Sequence, residues 1–165
     1  MASCLPEFIE ALTAKRAAME ELLTILEAEQ RSIIDVDVAN LEQLDQRKRD
    51  LLFSMERTNA ACRLLLRKSA EELQVPHAES LSPLMPKIAS PLRERFKGLQ
   101  SRILELGEAL QSVITFNRSL LEDSLQHVQE SVEFLNALFT RRSTYGKAGS
   151  MVSSRNDVRL VCKEI

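Results

Sequence analysis

Apolar residues recur along this chain at steps of three and four. The first series is Leu5, Phe8, Ile9, Leu12, Met19, Leu22, Leu23, Leu26 and Ile33. That spacing puts these side chains on one helical face, while Glu7, Glu10, Lys15, Glu21 and Glu27 fall elsewhere. The pattern breaks at Asp35-Val36-Asp37, where either Asp could cap a following helix by accepting from its free amides. A second series runs Val38, Leu41, Leu44, Leu51, Leu52, Met55, Cys62, Leu65, Leu66 and Leu73. Two long helices joined so tightly must fold back on each other as an antiparallel hairpin.

Residues 74–91 differ in character. Pro76, Pro83, Pro86 and Pro91 interrupt them, with Ser80, Ser82 and Ser90 between. Each proline removes an amide donor and restricts its predecessor, so no long helix survives here. Leu81, Leu84, Met85 and Ile88 can still form a short packed turn. Ser90-Pro91 then reads as an N-cap followed by proline at the first helical position.

The third series is the longest: Leu92, Phe96, Leu99, Ile103, Leu106, Leu110, Val113, Asn117, Leu121, Leu125, Val128, Val132, Leu135 and Phe139. Two successive four-residue steps around Leu121 form a stutter in an otherwise regular alternation. Gly107 lies inside it and reads as a tolerated surface glycine. The expected fold class is all-α: an antiparallel helical hairpin plus a longer third helix, in a coiled-coil-like three-helix bundle. The expected helices are 5–34, 38–73 and 92–142, within a single helical domain 1–149 followed by a flexible tail 150–165.

Composition agrees with helices. The 165 residues are 44% apolar and only 4% aromatic, with four Gly and no Trp, a poor basis for β-sandwiches or Gly-loop nucleotide folds. The formal net charge of -2 argues against a nucleic-acid binder, which needs a basic excess. The clusters Arg47-Lys48-Arg49 and Arg63, Arg67, Lys68 sit beside Asp45, Asp50, Glu56, Glu71 and Glu72 and read as solvated faces with i,i+4 pairs. Cys4, Cys62 and Cys162 are far apart and odd in number, which suggests a reducing compartment rather than a disulfide framework or zinc site. No secretory signal is recognisable at the start, and no apolar run approaches the ~20 residues that cross a bilayer. A cytoplasmic protein without membrane insertion is expected.

Chemistry is sparse. Neither His77 nor His127 follows a Glu by three residues, as di-iron bundles require, and both read as surface histidines. No phosphate-cradling loop or Gly-x-Ser-x-Gly elbow occurs. No enzyme activity, catalytic residue, metal or cofactor is expected.

The informative feature is unequal length. Helices of about 30, 36 and 51 residues would span ~45, ~54 and ~77 Å at 1.5 Å per residue. A third helix that returns along the hairpin outlasts it by roughly 15 residues, or ~22 Å, over 127–142. That stretch carries Val128, Val132, Leu135, Leu138 and Phe139, a candidate surface for a partner's amphipathic helix. Burying five such side chains is worth ~7–15 kcal/mol at most; association costs leave micromolar-type binding. The alternatives are self-association, or cover by the 74–91 segment and the tail.

The segment Met19-Glu-Glu-Leu-Leu-Thr-Ile-Leu-Glu-Ala-Glu-Gln, the break at Asp35–Asp37, and Leu41-Glu-Gln-Leu-Asp-Gln-Arg-Lys-Arg-Asp-Leu-Leu resemble the hairpin of FlgN-type flagellar export chaperones. Thr115-Phe-Asn-Arg-Ser-Leu-Leu is similar to that family's Asn-bearing stretch, and Thr144-Tyr145-Gly146 with Gly149 to its ending. Phe96 stands where an early tryptophan is often expected. The resemblance covers Leu5 to Gly149. It implies a cytoplasmic chaperone of type III export that binds the C-terminal helical region of hook-associated, hook–filament junction proteins (FlgK/FlgL-like). It also implies that such a chaperone prevents premature assembly of these proteins and delivers them to the flagellar export gate and ATPase complex. On this resemblance Tyr145 corresponds to the gate-docking tyrosine; a ring packed over the helix end is the alternative. The competing function is a structural coiled-coil adaptor or dimerisation module without an export role.

Overall fold

The computed structural model describes residues 4–75 and 77–141. It is all-helical there: α1 (Leu5–Ile34), α2 (Val38–Glu72), the 3-10 helix η1 (Ser82–Lys87) and α3 (Ser90–Arg141), with no strand among the described residues. The hairpin and the longer third helix expected from periodicity are present, with lengths of 30, 35 and 52 residues. The chain divides into two compact units, 1–121 and 122–165. Tyr145, the Thr-Tyr-Gly ending and the tail 150–165 lie outside the described residues.

The hairpin turn shows why two helices end and begin within three residues. Asp35 closes α1, with its amide on the Arg31 carbonyl at 2.9 Å. Val36 takes φ 56°, and the Asp37 amide reaches back to the Ser32 carbonyl at 2.9 Å. This is a Schellman ending, whose left-handed position is normally glycine because a Cβ there is costly. Of the two candidate caps only Asp37 serves α2, its carboxylate accepting from the Asn40 amide at 3.1 Å. Asn40 also donates to the Ser32 hydroxyl at 2.7 Å, tying the helices across the turn. The end of α2 repeats the device: Gln74 has φ 56° and the Val75 amide bonds the Ala70 carbonyl at 2.8 Å.

The core of the first unit has two parts. Near the chain start, Leu5, Phe8 and Ile9 of α1 meet Cys62 and Ala70 of α2, Leu84 and Ile88 of the connection, and Phe96 and Leu99 of α3. The rings of Phe8 and Phe96 lie 5.5 Å apart at 58°, a favourable tilted pair. The proline-rich connection is therefore structural: η1 spans Pro83 and Pro86 and buries Leu84 completely. Farther along, Met19, Leu22 and Leu26 pack on Leu106 and Leu110.

Three details depart from the sequence reading. Val38 and Leu52 point outward, whereas Ile25, absent from the first series, is 2% exposed. Helix α3 begins at Ser90 itself, with the Ala89 carbonyl taking the Arg93 amide at 2.9 Å. Ser90 is therefore the first helical residue rather than the cap. Gly107 fits its expected role, since an added Cβ would meet nothing within 4 Å.

Candidate functional site

The second half of α3 is where apolar side chains lack cover. Up to Asn117 the series is buried at Phe96, Leu99, Leu106 and Leu110. From Leu121 the same spacing continues on exposed positions. Val128 is 60% exposed, Leu135 49%, Leu138 46% and Phe139 68%, and Leu121 and Leu125 join them; Val132 is half-buried. At 100° per residue, Leu121, Leu125, Val128, Val132, Leu135 and Phe139 fall within an arc of roughly 80°, with Leu138 about 60° outside it. Exposure thus starts six residues before the 127–142 stretch expected from helix lengths. The second unit has no core cluster among the described residues. Within it Gln126 donates to Glu130 at 2.9 Å and Ser131 to the His127 carbonyl at 2.8 Å. His127 lies on the surface with Nδ1 at 3.8 Å from Glu130, a pair only when the imidazole is protonated.

The exposure begins just beyond a polar cluster that sequence reasoning missed. Asn117 is 3% exposed. Its Nδ2 donates to the Leu26 carbonyl at 2.8 Å and to Glu29 Oε2 at 3.1 Å. Glu29 in turn pairs with Lys48 of α2, and both are largely buried. One residue from each long helix therefore meets at a single level, and the charge of Glu29 is both paired and hydrogen-bonded, as burial demands. The signal was available: an asparagine standing in an otherwise apolar α3 series is a register device in coiled coils. Lys48 is accordingly no solvated cation, unlike Arg49, which makes the expected i,i+4 pair with Asp45 at 2.7 Å.

A second apolar feature lies within the first unit. A groove of about 410 Å³ is lined by Phe8, Leu12, Asn59, Cys62, Leu66 and Leu81. The Oδ1 of Asn59 is buried there without a hydrogen-bond partner. Burial pushes the Cys62 thiol up, offset in part by Lys15, so it is a poor nucleophile. Cys4 is also raised, first by burial and then by its hydrogen bond to Glu72 at 3.0 Å. Among the described residues no group of His, Cys, Asp or Glu is placed to hold a metal. No helix there is long and apolar enough to cross a membrane.

A three-helix arrangement with a long, partly uncovered last helix narrows the choice of family. Residues 1–153 match the family model described as FlgN protein. The chain belongs to the FlgN family. FlgN proteins are chaperones of flagellar protein export, and that general role extends to this chain. Comparisons with curated proteins and with solved structures each gave no match. Within the FlgN frame, Asn117 of the family's Asn-bearing stretch is a buried packing residue here, and its neighbours Thr115 and Phe116 face outward. Among the described residues, the late α3 stripe, the groove of about 410 Å³ and a wider one of about 1000 Å³ lined by Met19, Ile103, Leu104 and Phe116 are apolar surfaces on which a chaperone could hold a client.

Proposed function

We propose that this FlgN-family chain works in the cytoplasm on hook-associated proteins of the hook–filament junction, FlgK/FlgL-like. It would bind their C-terminal amphipathic helices and pass them to the export gate and ATPase complex. The observation that carries the reading is the run of exposed apolar residues on late α3. An isolated helix face of this kind holds a partner helix through anchors at i, i+3, i+4 and i+7. Val128, Val132, Leu135, Leu138 and Phe139 are the proposed anchors. Covering them sequesters the client's own assembly helix, which prevents premature polymerisation. The modest area favours reversible binding, as a hand-over requires. Tyr145, outside the described residues, is the proposed contact for the gate.

The test is solution mass with and without a C-terminal peptide of a junction protein. A 1:1 complex is expected, lost in Leu135→Asp while helicity by circular dichroism is retained. A chain blind to the peptide would favour the adaptor reading instead. Tyr145→Ala is expected to keep the peptide complex and weaken gate association; loss of the peptide complex would assign that ring to packing.

A further inference from the structure

We propose that the outward face of α2, from Phe53 to Lys68, docks an acidic amphipathic helix of a partner protein. The core side of α2 is set by Leu44, Cys62, Ser69 and Ala70, all buried. At 100° per residue, Phe53 and Leu64 lie almost directly opposite that side. A helix on a bundle surface ordinarily carries polar residues there, yet Phe53 is 68% exposed and Leu64 54%. Arg57, Arg67 and Lys68, all exposed, share with them an arc of roughly 100°, and Arg63 stands about 40° outside it. The stretch is ~22 Å long, enough for about four turns of a partner helix.

The charge of this face is unanswered within the molecule. Other cations are engaged: Arg47 with Glu21, Lys48 with Glu29, Arg49 with Asp45, Lys97 with Glu94 and Arg102 with Glu20. No ion pair or side-chain hydrogen bond joins Arg57, Arg63, Arg67 or Lys68 to another described residue. The i,i+4 pairs open to Arg67 with Glu71 and to Lys68 with Glu72 do not form, which corrects the reading of this cluster as a solvated, internally paired face. The order is the weaker one, cation before acid, and Glu72 instead accepts from the Cys4 amide at 3.1 Å and the Cys4 thiol at 3.0 Å. Arg63 and Arg67 are themselves four apart, so they repel. Over residues 54–70 four cations stand against one acid, Glu56, in a chain of net charge -2.

A local basic excess around two exposed apolar side chains asks for carboxylates and apolar groups on one partner face. A helix with a leucine ridge flanked by acids supplies both, and each guanidinium can take a carboxylate in a two-pronged pair. Glu56 and Glu71 lie at the margins of the face and oppose the uniform negative field of a lipid surface or a nucleic-acid backbone. The face shares no residue with the late α3 stripe, so the proposal stands whether or not that stripe holds a client.

The test is fluorescence anisotropy of the full chain with a labelled helical peptide of about three heptads, leucine at a and d and glutamate at e and g. Its lysine counterpart is the control. Micromolar binding of the glutamate peptide is expected, at least tenfold tighter than that of the lysine peptide. Raising salt to about 1 M, where the Debye length is ~3 Å, should weaken it at least tenfold. Arg57→Glu combined with Lys68→Glu should abolish binding while helicity by circular dichroism is retained, and Leu64→Ser should weaken it. Arg95→Glu, at an exposed cation of α3, should leave it unchanged. Equal affinity for the two peptides, or equal losses in R95E and R57E/K68E, would overturn the proposal. Capture of phosphatidylglycerol vesicles in preference to the glutamate peptide would overturn it as well. A junction-protein peptide should bind R57E/K68E as it binds the wild type, so a failed client reading shows in the wild type and leaves this one standing.

Discussion

The two halves of α3 carry the same kind of apolar spacing and meet opposite fates. From Phe96 to Leu110 the face is closed in a core with α1, α2 and η1; from Leu121 to Phe139 it is largely exposed. Spacing makes a helix amphipathic, but it does not decide what covers the apolar side. In this chain the buried half contributes stability and the exposed half contributes a surface. The Asn117–Glu29–Lys48 cluster, which joins all three helices by hydrogen bonds and charge, lies between the two halves.

Substitutions at matched residues put that contrast to the test. Phe96→Ala empties a site with no solvent exposure and is expected to cost ~3–5 kcal/mol. Phe139→Ala, at an exposed site, should change stability by less than ~0.5 kcal/mol. Urea unfolding of both variants checks this, and similar losses would mean that the late half is packed too. Next in size, Asn117→Ala removes two hydrogen bonds and leaves Glu29 with one partner fewer. A loss of ~1–3 kcal/mol is expected, and a neutral result would deny the cluster its joining role.

Smaller effects probe the turn that aligns the hairpin. Val36→Gly relieves a β-branched residue at positive φ and should raise stability by about 1 kcal/mol; Asp37→Ala should lower it by about 1 kcal/mol. Thermal melts of the two variants should therefore move in opposite directions. The smallest expected effect concerns Cys62, whose thiol is pushed above its ordinary value of 9.0 by burial. The folded state favours the neutral thiol, so its contribution is complete below pH 9 and is lost as pH rises from 9 through the folded value. Comparing urea midpoints of the wild type and Cys62→Ala from pH 8 upward checks the sign. Only the wild type should show this extra decline.

Much of this was legible in the sequence, for physical reasons that differ by residue. Periodicity located the hairpin and α3, since an apolar face repeated over thirty or more residues has few other solutions. Asp37 was legible as a cap because its carboxylate precedes an apolar series. The choice between Asp35 and Asp37 was not, because it depends on Val36 entering the left-handed region, which its β-branched side chain disfavours. Length arithmetic found the exposed stripe but placed its start late. It assumed cover to the end of the hairpin, whereas cover of the apolar face stops near Asn117. The Glu29–Lys48 pair was hidden because each looks like an ordinary surface charge until the third helix brings Asn117 against Glu29.

Hydrogen exchange of the full chain at low micromolar concentration, with and without a junction-protein C-terminal peptide, tests the central claim most directly. Added protection confined to residues 121–140, with 96–117 unchanged, is the result expected of a client held on late α3. Protection gained instead around Phe8, Cys62 and Leu66, or nowhere, would contradict it.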